Sequence, residues 1–219
     1  MLALARTVVR TAVIAALAGS GALAQAQTSP ALGAPAPRNF YFVLQGGLTG
    51  GGDKLVEAQV VSDFWGGFRT YNESIRAGGL LQFGAGVLWQ PSEIPLAVQA
   101  TINYHVDSIT ADNGDATWSR MPIEVLAYYT GVPRWRFGGG ARWVKDAELE
   151  IDLVRNERFG YKDATGYVLE AGFAVTPRFW ISGRYVNEDY ELESYNGFPA
   201  RSLEKTSGQS FGLFMSYNF

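Results

Sequence analysis

Residues 96–105 alternate between two kinds of side chain. Leu96, Val98, Ala100, Ile102 and Tyr104 fall on one phase; Ala97, Gln99, Thr101, Asn103 and His105 fall on the other. A period of two belongs to a strand with one apolar and one polar face. The same period recurs seven more times. Phe40, Phe42, Leu44 and Leu48 oppose Tyr41, Val43 and Gln45, and Leu81, Phe83, Ala85, Val87 and Trp89 oppose Gln82, Gly84 and Gly86. Met121, Ile123, Val125, Ala127 and Tyr129 oppose Arg120, Glu124 and Tyr128. Trp135, Phe137, Ala141 and Trp143 oppose Arg136, Gly138, Gly140 and Arg142. Tyr167, Leu169, Ala171, Phe173 and Val175 oppose Gly166, Glu170 and Gly172, and a weaker strand sets Phe179, Ile181, Gly183 and Tyr185 against Trp180, Ser182 and Arg184. The last runs Phe211, Leu213, Met215, Tyr217, Phe219, so the chain stops on an aromatic ring instead of a polar tail.

Proline punctuates these strands. Pro91, Pro133 and Pro177 are 42 and 44 residues apart, and Pro177 lies 42 residues before the end. Proline fits tight turns and strand ends. Each interval therefore predicts one hairpin, and four hairpins give eight antiparallel strands in an all-β fold. The longer connections fall at about 49–77, 107–117, 145–164 and 187–207. A ten-strand variant would draw an extra hairpin from residues 55–76.

The first 26 residues have the composition of a secretory signal: Arg6 and Arg10, then the short apolar run 11–19, then Ala-x-Ala sites ending at Ala24 and Ala26. Cleavage after Ala26 is the preferred expectation, after Ala24 the alternative. Residues 27–38 read as an extended Pro/Ala-rich tail, and 39–219 as one domain. Removing Arg6 and Arg10 from 18 basic residues leaves 16 against 21 acidic ones. That balance argues against a nucleic-acid partner, which asks for a basic face. There is no cysteine, and beyond residue 26 no apolar run approaches the roughly 20 residues of a membrane-spanning helix. An exported chain that enters a membrane without a helix must do so as a closed β-barrel.

Alternation alone does not say which face is inside, because a soluble lipocalin-like barrel has the same period. The aromatics choose. On the apolar phase Trp89, Tyr129, Trp135, Phe179, Tyr217 and Phe219 collect toward the tight-turn end, and Trp143, with Tyr104 and Tyr185, toward the long-loop end. Two aromatic girdles around an aliphatic belt are what the two membrane interfaces select. The other phase carries glycine, glutamine and a few charges of both signs: Arg120, Glu124, Arg136, Arg142, Glu170 and Arg184. These suit the packed interior of an eight-stranded transmembrane barrel.

In this architecture the chain resembles the small outer-membrane β-barrel proteins of Gram-negative bacteria, the family of the OmpA transmembrane domain and OmpX. The resemblance covers residues 40–219 and is most specific at the terminal Tyr217-Asn218-Phe219. It implies an outer-membrane location with both termini and the tight turns in the periplasm. It further implies recognition of the last strand by the barrel-assembly machinery, and contact with outer-membrane lipid and lipopolysaccharide. No motif selects a subfamily.

Buried charges must be paired, so the six interior charges predict an Arg/Glu network across the lumen, as this family often has. It serves either as a structural plug, the preferred expectation, or as a gate; a narrow porin-like channel or an OmpW-like conduit is the alternative. Gln45, Gln82 and Gln99 argue against an apolar conduit. Some eight-stranded outer-membrane barrels are lipid A deacylases with a His and a Ser two apart, facing lipid. Here His105 and Ser108 are three apart and fall on opposite faces, so no enzymatic role is expected. No cofactor or metal motif is present, and a monomer is expected. In the first long loop Phe64, Trp65, Phe68 and Tyr71 are candidates for contact with a surface ligand or protein, for a lid, or for leaning on the outer leaflet. Residues 145–154 and 187–195 remain alternating and acidic, which predicts a protruding sheet. Its acidity either serves contact or guards an edge.

Overall fold

The computed structural model describes residues 39–63, 68–111, 114–152, 156–200 and 204–219, with side chains omitted for 58–63, 68–73 and 110–111. The expected signal segment (1–26), the tail (27–38) and the contact candidates Phe64 and Trp65 lie outside the described residues. Phe68 and Tyr71 are placed only by their backbone.

Fourteen strands follow one another: β1 (Phe40–Gly51), β2 (Lys54–Asp63), β3 (Phe68–Arg76), β4 (Leu80–Trp89), β5 (Leu96–Ala111), β6 (Gly114–Val132), β7 (Trp135–Asp152), β8 (Asn156–Tyr161), β9 (Ala164–Ala174), β10 (Phe179–Tyr190), β11 (Leu192–Tyr195), β12 (Phe198–Pro199), β13 (Thr206–Ser207) and β14 (Ser210–Asn218). Eight of them pair antiparallel in the order β1–β4–β5–β6–β7–β9–β10–β14. The ring closes between the first and last strands, from Val43↔Asn218 to Gly51↔Ser210. This is a closed eight-stranded antiparallel barrel. The hairpin β2–β3 forms a two-stranded sheet of its own. Residues 55–76 thus add no barrel strands, and the ten-strand alternative falls.

Several strands outrun their expected ends. Residues 107–111 and 114–117 continue the β5–β6 ladder, from Asp107↔Trp118 to Ala111↔Gly114, where a loop was expected. The segment is mostly polar, which hides the strand, yet Ile109 and Ala116 are buried on its inward phase and its β-branched residues suit a pleated surface. β7 continues to Asp152 and pairs with β8, which pairs in turn with β11. Residues 145–152 and most of 187–195 therefore extend the sheet beyond the barrel wall, and 153–154 lie outside the described residues.

A bulge redirects β7. Its partners jump from Met121↔Lys145 to Ser119↔Glu148, and Asp146 sits there at φ 50°. Arg142 and Val144 face inward before the bulge; Ala147 and Leu149 are buried after it. One extra residue has switched the phase. It leaves Glu150 exposed while Leu149 pairs with Trp118.

Candidate functional site: the barrel interior

The interior is layered, and β6 crosses every layer. Its inward residues run Trp118, Arg120, Glu124, Leu126, Tyr128 from the long-loop end to the tight-turn end, all at most 1% exposed. At the tight-turn end Leu126 and Tyr128 pack with Val43, Leu88 and Ala97. At the long-loop end Trp118 packs with Ile75, Ala77, Ile109, Leu149 and Tyr190. Ile75 and Ala77 come from the end of β3 and the turn after it, so the first long loop folds across this layer. Trp118 Nε1 donates to the Ala77 carbonyl at 3.2 Å, and the Arg76 amide donates to Asp107 Oδ2 at 3.1 Å. Trp118, Tyr161 and Tyr190 meet edge to face at 5.0–6.3 Å between centroids.

Between the two apolar layers lies an alternating ladder of charge. Arg136 Nη2 is 2.8 Å from Glu170 Oε1. Glu170 Oε2 is 2.6 Å from Arg184 Nη2, and Arg184 Nη1 is 3.0 Å from Glu124 Oε2. Glu124 Oε1 is 2.5 Å from Arg142 Nη1, and Arg142 Nε is 2.6 Å from Glu188 Oε2. Arg120 closes the series, its Nε 3.9 Å from Glu188 Oε1. Each carboxylate thus lies between two guanidiniums, the arrangement that offsets the desolvation of a buried charge. Amides tie the ladder to the wall. Gln82 accepts from Arg142 at 3.0 Å and donates to Glu124 at 3.3 Å. Gln45 donates to Asn103 at 2.6 Å and accepts from Gln99 at 3.1 Å.

The six interior charges expected from sequence are all buried here. The seventh member, Glu188, is the residue the sequence reading missed. It sits in an acidic run of the kind usually found in loops, but on the inward phase of β10. Tyr190 two residues later donates to it at 2.6 Å. The signal for it in the sequence is the phase of β10, which continues past Val186 to Glu188 and Tyr190.

Both ends of the ladder rest on aromatic faces. The Arg136 guanidinium lies 4.6 Å from the Tyr128 ring centroid and 4.8 Å from that of Trp180. Arg120 lies 5.4 Å from Trp118 and 5.9 Å from Tyr190. These are cation–π distances. His105 is buried inside, with Thr49 Oγ1 2.8 Å from its Nε2 and Arg142 Nη2 3.3 Å from its Nδ1. Arg120 Nη2 lies 3.3 Å from the same Nε2, so a guanidinium stands at each ring nitrogen. Ser108 is exposed on the opposite face, so it does not share the lumen with His105.

Room for the ladder comes from glycine. Arg142 pairs across strands with Gly166, Glu170 with Gly138, Arg136 with Gly172 and Arg184 with Gly212. A Cβ on Gly138 would stand 2.5 Å from Tyr128 Cδ1, and one on Gly166 2.8 Å from Glu188 Cβ. Long side chains lie over neighbours that have none.

The outward face is apolar. Phe42 and Phe211 are 73% and 69% exposed. Of the expected girdle, Trp89, Tyr129, Trp135, Trp143, Tyr217 and Phe219 point outward and exposed, and Phe179 is half-buried. Beyond the barrel, the Phe159 and Tyr195 rings meet tilted, 4.9 Å between centroids, beside the 76% exposed Phe198. Among the described residues there is no cluster of metal-ligating side chains.

No family model and no curated protein matches the chain. Among solved structures, the crystal structure of Neisserial surface protein A (NspA) is similar, with a TM-score of 0.48 and 10% sequence identity over 83% of this chain and 98% of that one. The eight-stranded closure itself is given by the hydrogen-bonded register of this chain.

Proposed function

We propose that the chain is an outer-membrane β-barrel protein of the small Gram-negative type, a plugged anchor that presents its long-loop sheet at the cell surface. One observation carries this reading: the barrel is inverted, with charge inside and an unbroken apolar belt outside. Soluble monomers rarely expose apolar patches beyond a few hundred Å², whereas a bilayer requires such a belt and a closed backbone. In this orientation the termini and tight turns are periplasmic.

The role proposed is structural and interactive, not catalytic. The apolar layers above and below the charge ladder support a filled lumen over a channel or conduit. Contact with a surface ligand or protein falls to the loop-end sheet, where Phe159, Tyr195 and Phe198 offer aromatic surface. The last strand would be the segment read by the barrel-assembly machinery, and the protein a monomer in contact with lipopolysaccharide.

The test is fractionation of expressing cells, with unboiled and boiled samples on a denaturing gel. An outer-membrane band that shifts on boiling is expected. A soluble periplasmic protein of unchanged mobility would overturn the reading.

A further inference from the structure

The outer wall is not evenly covered. Across β7, β9, β10 and β14 one outward row reads Phe137, Ala171, Gly183, Leu213. Two large side chains thus flank two positions with almost none. A Cβ on Gly183 would meet nothing within 4 Å. The row above, Leu169, Tyr185 and Phe211, roofs the dent. The result is an apolar groove of about 410 Å³ in the belt, floored by Ala171 and Gly183.

A second cavity lies directly above it on the same two strands. It is polar, about 320 Å³, and lined by Lys162, Thr165, Tyr167, Asn187, Asp189 and Lys205 among others. Tyr167 and Asn187 of this cavity stand two residues from Leu169 and Tyr185 of the groove, about 7 Å along a strand. Glu191 holds both ammonium groups at its rim, Lys162 at 3.0 Å and Lys205 at 3.1 Å. Lys145 engages Asp163 beside them.

We infer that this β9–β10 seam binds one acylated, phosphorylated sugar lipid of the outer leaflet, its acyl chain in the Gly183 groove and its headgroup in the lysine cavity. The inference rests on the outer-membrane reading. Polar cavity above, aromatic ring between and apolar groove below match an amphiphile in that order. The headgroup must carry more than an anion. Lys162 and Lys205 line the cavity together with Asp163, Asp189 and Glu191, so it offers acceptors as well as cations. A phosphate answers the lysines, and sugar hydroxyls answer Asp189, Asn187 and Thr165. The half-exposed Tyr167 ring offers a face for the sugar.

The test uses the refolded full chain, mixed in turn with lipid A, with dephosphorylated lipid A and with phosphatidylethanolamine. Retained lipid is counted by native mass spectrometry. One lipid A per barrel is expected. Retention should fall about tenfold without phosphate, the loss of a charge-assisted hydrogen bond. It should fall as far in the Lys162→Ala/Lys205→Ala double variant and in Gly183→Leu, which fills the groove. Equal retention by the variants, no retained lipid at all, or equal retention of phosphatidylethanolamine would overturn the inference. Both lysines and Gly183 are at the surface, so the boiling shift of the variants is expected to persist. Loss of that shift in the unaltered chain would instead strike the outer-membrane reading itself.

Discussion

Glu188 Oε2 stands 2.6 Å from Arg142 Nε, which joins a residue from an acidic, loop-like run to the centre of the barrel. Removing the carboxylate leaves Arg142 and Arg120, both at most 1% exposed, each short of a partner. Glu188→Ala is expected to destabilise the folded barrel by about 3–5 kcal/mol, the cost of breaking a buried pair. The exposed neighbour Asp189→Ala should change stability by less than about 0.5 kcal/mol. Urea unfolding of both variants in lipid bilayers checks the contrast.

The pairing of glycine with long side chains gives a second contrast. Gly138→Leu drives a side chain into Tyr128, while Gly183→Leu points into open space on the outside. The first is expected to cost at least about 1–3 kcal/mol by overpacking and to lower the refolding yield. The second should refold normally. The fraction that shifts on boiling reads out both.

Much of this was legible in the sequence. Alternation from Phe40 to Phe219 and the spacing of Pro91, Pro133 and Pro177 suffice for eight strands, because a closed barrel obliges every strand to keep one phase. That rule also placed Arg120, Glu124, Arg136, Arg142, Glu170 and Arg184 together. What stayed hidden has physical reasons. Above the belt β5 and β6 mix polar residues with the apolar Ile109, Ala116 and Trp118, so the period fades although the ladder persists through Ile109↔Ala116. The β7 bulge at Asp146 adds a residue that no hydrophobic pattern announces. Residues 54–76 look like barrel strands because a self-paired hairpin has the same period. Glu188 is hidden because its acidic run has the composition of a loop while its phase is that of the lumen.

The C-terminal ring makes a third prediction. The Phe219 amide donates to the Phe42 carbonyl at 2.9 Å, and its ring packs on Tyr217 at 4.8 Å between centroids. Deleting Phe219 is expected to reduce assembled protein in the outer-membrane fraction severalfold, while Phe219→Tyr should assemble as before. Quantitative blotting of that fraction compares them.

The loop-end sheet carries a pH signature. Hydrogen bonds from Lys162 and then Lys205 hold the exposed Glu191 carboxyl below its ordinary range. A lowered value means that the contact stabilises above the ordinary carboxyl pKa and is lost as pH falls through the lowered one. Carbon-detected NMR titration should find the Glu191 midpoint below those of unpaired glutamates. Lys162→Ala should raise it.

The proposed plug is a charge ladder in the middle of the lumen with apolar layers at both ends. Single-channel recording of the refolded protein in a planar bilayer tests it most directly. A silent membrane, with insertion confirmed by protease protection, is the predicted result. Reproducible discrete conductance steps would contradict it and turn the ladder from a plug into the lining of a channel.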